Sequence, residues 1–245
     1  MRIESEIGPH LEKQARKNLI RGLPLVLISY AFLWFIGLDY SPIHIDLGKL
    51  AAPIYFLAGI VFMYGLMQFI VPYKYWKSGL SGERKVINNI SSKLGNEHSL
   101  FNDVMLKDGK HGGNIDHIIV GPRGIFAIET KNMEGAFTIY EDNWKGLKNS
   151  PSLQAKNNAR RLYRLLTNFR ILDREFPLVQ AIVVLSNSKA EPKIEKTPEM
   201  CKIIQIKNQA DCSLYDYIMS HQDIVFSTEE IGIIVEFLKD NMLKI

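Results

Sequence analysis

The run from Ile115 to Lys131, IDHIIVGPRGIFAIETK, carries two carboxylates and an amine at spacings that suit phosphoester chemistry. Gly121-Pro122-Arg123-Gly124 is a turn signal between two apolar runs. With those four residues as the loop, Val120 faces Ile125, Ile118 faces Ala127 and Asp116 faces Glu129. Side chains alternate along a strand, so Glu129 and Lys131 share a face, and the pairing brings Asp116 onto it with Cβ atoms about 5 Å apart. Carboxylates that close repel unless a cation lies between them, and a hard divalent ion, Mg²⁺ or alternatively Mn²⁺, favours such an oxygen pair. The neighbouring amine of Lys131 could orient or deprotonate an attacking water, or stabilise charge on a phosphoryl oxygen. The plainer reading is a solvated strand face with a weak ion pair.

Two further residues bear on the choice. Glu83 is in line with Ile87, Ile90 and Leu94 at i+4, i+7 and i+11, on the stripe of a helix expected over Ser81–Leu94 that faces the sheet. An unpaired acid there is costly, although an acid in a helix's first turn also satisfies the helix dipole. Gln154 opens the next helix and can point a neutral amide at a metal-bound water or a phosphate. His111 and His117 flank Asp116, but His117 falls on the opposite sheet face, which argues against a His–Asp–His metal site.

Between Asn143 and Leu172 there are seven basic residues and no acid. Ala155, Ala159, Leu162, Leu166 and Phe169 form an expected buried stripe, while Lys156, Arg160 and Arg164 line up at i, i+4 and i+8 elsewhere. Like charges at that spacing repel, so a polyanion would relieve a local cost. Nucleic acid is the favoured partner; a solvated face, or docking onto anionic lipid, would serve the same charges.

These residues need a scaffold. Strands are expected at Val104–Lys107, Ile115–Val120, Gly124–Lys131, Ala136–Tyr140, Val179–Leu185 and Lys202–Ile206. Helices are expected at Ser152–Phe169, Ser213–Ser220 and Thr228–Met242, the last opened by a Ser227/Glu230 capping box. The order describes a mixed α/β sheet flanked by helices over residues 72–245.

Residues 1–71 are of another kind. Leu50–Val71 is 22 residues without a formal charge, about 33 Å of helix against a hydrocarbon core of about 30 Å. Gly22–Leu38 is also uncharged, at the lower limit for spanning, so a transmembrane hairpin over 22–71 is expected, with spans about 22–38 and 50–71. A signal peptide or a re-entrant first segment are the alternatives. Basic residues in the N-terminal 1–21 segment and after Val71, with only Lys49 in the connecting loop, place both the N-terminus and the C-terminal domain in the cytoplasm, at the cell (inner) membrane. Neither span carries an ionisable residue, which makes it an anchor and not a transport path.

Composition excludes other classes. At 245 residues with 47% hydrophobic and 23% charged residues, the chain is neither disordered nor collagen-like. Two cysteines exclude a disulfide framework and Cys-rich zinc modules. A net charge of +4 is too mild to imply a nucleic-acid partner by itself. There is no Walker A run and no nucleophile elbow.

Gly82-Glu83, the run IDHIIVGPRGIFAIETKN, Trp144-Lys145 and Ser150-Pro151 followed by Gln154 and Asn158 resemble the NERD family, the nuclease-related domain, over about residues 82–186. That family is similar to the restriction-endonuclease-like PD-(D/E)xK fold, a mixed sheet between helices. The resemblance implies metal carboxylates at Asp116 and Glu129, a helix acid at Glu83, a catalytic lysine at Lys131 and a helix glutamine at Gln154. The expected function is therefore a membrane-anchored, Mg²⁺-dependent nuclease acting on nucleic acid, DNA before RNA. The alternative is a catalytically silent, membrane-tethered module that binds nucleic acid or a protein.

Overall fold

A computed structural model describes residues 1–5, 9–37, 51–107, 113–221 and 223–243. The chain divides into two compact units, one made of Met1–Pro9 with Gly79–Ile245 and the other of His10–Ser78.

The larger unit is built on a six-stranded mixed sheet. Its strands in spatial order are β1 (Arg2–Ile3), β2 (Ser99–Val104), β3 (Ile115–Gly121), β4 (Gly124–Lys131), β7 (Gln180–Leu185) and β9 (Cys201–Gln205). β2, β3 and β4 are an antiparallel meander, whereas β1 joins β2, and β7 and β9 follow β4, in parallel. A small second sheet holds β5 (Gly135–Tyr140) between β6 (Asn143–Trp144) and β8 (Ala190–Lys196). The expected mixed sheet flanked by helices is therefore present. The β3–β4 register is the expected one, with Ile118 opposite Ala127 and Val120 opposite Ile125; Gly121 and Gly124 pair, and only Pro122-Arg123 remain in the turn.

Each sheet face has its own core, as a sheet covered on both sides requires. Ile118, Val120, Ile125, Ala127 and Val183 pack with Leu162 and Leu166 of α3 (Pro151–Asn168) and with Ile234 and Leu238 of α5 (Thr228–Asn241). On the other face Ile119, Phe126, Ile128 and Ile182 pack with Val86, Ile87 and Ile90 of α2 (Ala51–Ser91) and with Leu214 and Ile218 of α4 (Ser213–Met219).

Four expectations change. The strand placed at Val104–Lys107 lies instead at Ser99–Val104, because Asn102 and Asp103 are polar residues buried within it. The helix expected to begin at Ser81 is the end of α2, which is continuous from Ala51; Glu83 therefore lies deep inside a helix, and the dipole account of it fails. Phe169 leaves the buried stripe: it caps α3, is 61% exposed and leans on Phe237 with ring centroids 5.2 Å apart. The fourth concerns a domain beginning at residue 72, which omits β1. Arg2 and Ile3 pair with Ser99 and Leu100, and Ser5 exchanges hydrogen bonds with Asn102, donating from Oγ to the carbonyl at 2.8 Å and accepting from the amide at 2.6 Å.

In the smaller unit, α1 (Pro9–Gly37) and the first part of α2 lie side by side, Gly65 so close to Val26 that a Cβ there would sit 2.9 Å from Val26 Cγ2. Gly22, Ser29, Ala58 and Gly65 are buried, while Leu27, Ile28, Phe56, Leu57, Met63 and Met67 are exposed. Small residues inside and large apolar ones outside is the packing helices adopt in lipid. Among the described residues one helix is long and apolar enough to cross a membrane, Ala52–Ser91; α1 contributes a shorter apolar run, Ile20–Ala31. The connecting loop at 39–49 lies outside the described residues.

Gly82 sets how closely α2 meets the sheet. A Cβ there would lie 2.7 Å from Ser186 Oγ and 2.8 Å from Asn132 Cβ, and Ser186 is fixed by its amide bond to the Lys131 carbonyl at 3.0 Å. Alanine improves helix propensity by about 1 kcal/mol but overpacks a rigid contact at about 1–3 kcal/mol. Gly82→Ala should therefore lower stability by up to about 2 kcal/mol, read by thermal unfolding, and Gly82→Val should lower it further.

Candidate functional site

β3, β4 and α3 bring four of the five expected residues together. Asp116 and Glu129 stand on the sheet face covered by α3, as the register requires, and His117 points the other way, its Nδ1 2.9 Å from Asn102 Oδ1. Asp116 Oδ2 accepts the Thr130 amide at 2.7 Å. Lys131 Nζ donates to Glu129 Oε1 at 2.6 Å and lies 3.4 Å from Gln154 Oε1. Gln154 is held there by local chemistry: Ser150 caps α3 by accepting the Leu153 amide at 3.2 Å, and Pro151 supplies the first turn with the φ it needs.

Glu83 comes from α2, whose apolar stripe packs on the opposite face, and reaches the acids through charge. Burial first, then repulsion from Asp116, Asp103 and Glu129, pushes its carboxyl up to about 8. Burial also raises Asp116 and Glu129; the Thr130 amide and Lys131 pull Asp116 back, and Asp116 raises Glu129 further. Glu83 Oε2 and Glu129 Oε2 are buried with no hydrogen-bond partner among the described residues. Buried acids that repel one another and leave oxygens unpaired suit a hard cation. Among the described residues no three acids, histidines or cysteines are grouped to hold a metal ion, and Asp116 and Glu129 interact through charge.

A fourth acid escaped the sequence reading. Asp103 is buried, has φ +51°, accepts Asn114 Nδ2 at 2.6 Å, and raises both Glu83 and Asp116. Its sequence signal is weak: Asp103 follows the polar Asn102 in the run FNDVML and falls just outside the strand expected at Val104–Lys107.

The basic helix also differs from expectation. Lys156 is ion-paired with Asp142, one residue before the acid-free stretch begins, and Asp142 is held by Ser152 Oγ at 2.8 Å, which in turn takes the Trp144 indole hydrogen bond at 3.0 Å. Arg161 is turned to the Gly113 carbonyl at 2.8 Å. Arg160 and Arg164 stay exposed, and the charge of Arg160 adds to that of Lys156 in holding the Asp142 carboxyl down.

The acid cluster makes stability pH-dependent. A Glu83 carboxyl raised to about 8 keeps its proton in the folded chain after the unfolded chain has lost it. Folding then becomes less favourable as pH rises from about 4.5 to 8. Burial holds His117 down to about 3, which opposes this below pH 6.5, so the clean window is 6.5 to 8. Without divalent metal, the melting temperature should fall by about 3 °C or more across that window. Glu83→Gln should reduce the slope in the same thermal scans and leave the part carried by Glu129, whose carboxyl burial also pushes up to about 8.

Residues 78–186 match the family model of NERD, the nuclease-related domain. No curated protein and no solved structure matches the chain.

Proposed function

We propose that the nuclease-related domain of this chain is a metal-dependent phosphodiesterase that cuts nucleic acid, DNA before RNA, beside a membrane. The observation that carries it is the single contact group of Glu129, Lys131 and Gln154 next to Asp116, with Glu129 Oε2 left unpartnered. Asp116 and Glu129 would hold Mg²⁺ or Mn²⁺, with Glu83 acting on the ion through charge or through a bridging water. When bound, the metal supplies Lewis-acid stabilisation of the phosphoryl oxygens. Lys131, fixed between Glu129 and Gln154, orients the attacking water and places positive charge where the phosphate becomes more negative. Gln154 holds the amine in that position from the first turn of α3. Arg160 and Arg164 would contact the substrate backbone, and Lys156, already paired with Asp142, would contribute less.

The anchor is the second part of the reading. The packing of α1 against α2 supports a transmembrane hairpin, as does its large apolar exposure. Connectivity adds to this: Arg2–Ile3 belong to the same sheet as the residues after Gly79. A segment that leaves a folded unit and rejoins it crosses a bilayer an even number of times or not at all. Removal of the first segment as a signal peptide would take β1 with it. The distribution of basic residues supports a cytoplasmic position for the domain.

The test uses the full-length chain in detergent micelles with supercoiled plasmid, single-stranded DNA and RNA, each with Mg²⁺, Mn²⁺ or EDTA. Metal-dependent products of one substrate class support the reading and name the substrate. Salt-sensitive binding without cleavage under any metal would favour the tethered binding module instead.

A further inference from the structure

A cleft of about 280 Å³ lies between α2 and the ends of β7 and β9, bordered by Lys85, Asn88, Ser186, Ile206 and Lys207. It takes no part in the chemistry above, yet it adjoins it. Lys85 is two residues beyond Glu83 on α2, and the Ser186 amide bonds the Lys131 carbonyl. The cleft opens outside the carboxyl ends of the parallel strands β4, β7 and β9, where open α/β sheets bind ligands.

Its walls are fixed. Asn89, buried in α2, donates to the Gln209 and Asp211 carbonyls at 3.2 and 2.8 Å, and Lys93 donates to the same two at 3.1 and 2.5 Å. Asp211 closes the loop, accepting the Lys207 amide at 3.1 Å and the Ser213 amide at 2.8 Å. Lys93 is thus spent on holding the loop, whereas Lys85 and Lys207 are exposed with no acidic partner among the described residues. The Ser186 hydroxyl is buried and unpartnered among the described residues. Two unpaired ammonium groups at the border of a rigid polar cleft are the groups that hold a phosphate.

We infer that this cleft is a phosphate subsite for the nucleic-acid backbone next to the cleavage point; the inference rests on the nuclease reading. The cleft sets where along a strand the substrate is gripped, and it does so from the side of the sheet edge, away from Arg160 and Arg164.

The experiment measures oligonucleotide binding by the full-length chain in micelles, with Mg²⁺ and in a Lys131→Ala background so that substrate stays intact. The added pair Lys85→Ala/Lys207→Ala, which empties one phosphate position, is expected to reduce the slope of log K against log salt by about 0.7–0.9. That corresponds to about 5–8-fold weaker binding at 0.1 M salt when binding at 1 M is unchanged. Lys85→Arg/Lys207→Arg should restore the slope, and an unchanged melting temperature should show that the fold is intact. An unchanged slope in the alanine pair overturns the subsite alone. Absence of any oligonucleotide binding overturns the subsite, and absence of cleavage by the chain with Lys131 intact overturns the nuclease reading on which it rests.

Discussion

Replacing Lys131 with alanine is expected to lower metal-dependent cleavage by about 10²–10⁴ while leaving substrate affinity within a few-fold, in the range for loss of a positioned proton-transfer or oxyanion group. The amine is the one cation within hydrogen-bond reach of Glu129 among the described residues, at 2.6 Å, and it is also within reach of Gln154. Its removal leaves the buried Glu129 carboxylate without a counter-charge, so metal affinity should rise as activity falls. Lys131→Arg keeps the charge but replaces a compact ammonium with a planar fork that cannot sit in the same gap; partial recovery at most is expected. Single-turnover rates with saturating substrate separate the chemical loss from a binding loss.

Glu129→Gln has the second large effect, and it is two-sided. Activity should fall by about 10² or more, because a neutral amide is a poor ligand for a hard divalent cation. Stability without metal should rise. Glu129 is 1% exposed, one of its oxygens has no partner among the described residues, and Asp116 repels its charge. Breaking its ion pair with Lys131 opposes this, but the Lys131 side chain is 29% exposed and can turn to water. A rise of about 2–4 °C, equivalent to roughly 1 kcal/mol, is therefore expected in thermal scans with EDTA. Adding Mg²⁺ should stabilise the parent chain and leave the variant unmoved. If the variant melts lower than the parent without metal, Glu129 is a structural ion-pair partner and not a ligand held in a strained setting.

The hairpin at the centre of the site was legible because two local signals agree. Gly-Pro-Arg-Gly fixes the turn, and strict alternation fixes the faces, so the register followed and Asp116 came opposite Glu129. Glu83 was legible as an acid on an apolar stripe, but the start of its helix was not: the stripe Glu83, Ile87, Ile90, Leu94 shows only the part that packs on the sheet, and the helix is continuous from Ala51. Asp103 was hidden by the reverse effect. Buried polar residues that find partners, as Asn102 and Asp103 do, erase the apolar pattern by which a strand is recognised. Asp142 was missed by one position, since a charge census bounded at Asn143 cannot see a partner that folds back onto Lys156. β1 had no local signal at all. Its two residues gain their conformation from the edge of β2, far away in sequence, and work on the isolated 72–245 segment would lack it.

In the proposed reaction Asp116, Glu129 and Lys131 act with a divalent metal to hydrolyse a phosphodiester. The most direct measurement is the conversion of supercoiled plasmid by the purified full-length chain with Mg²⁺, run beside Lys131→Ala and Asp116→Ala proteins of matched folding. Nicked or linear products from the parent, absent with EDTA and in both variants, are the predicted result. Intact plasmid, single-stranded DNA and RNA under Mg²⁺ and Mn²⁺ alike, or cleavage that persists in both variants, would contradict it.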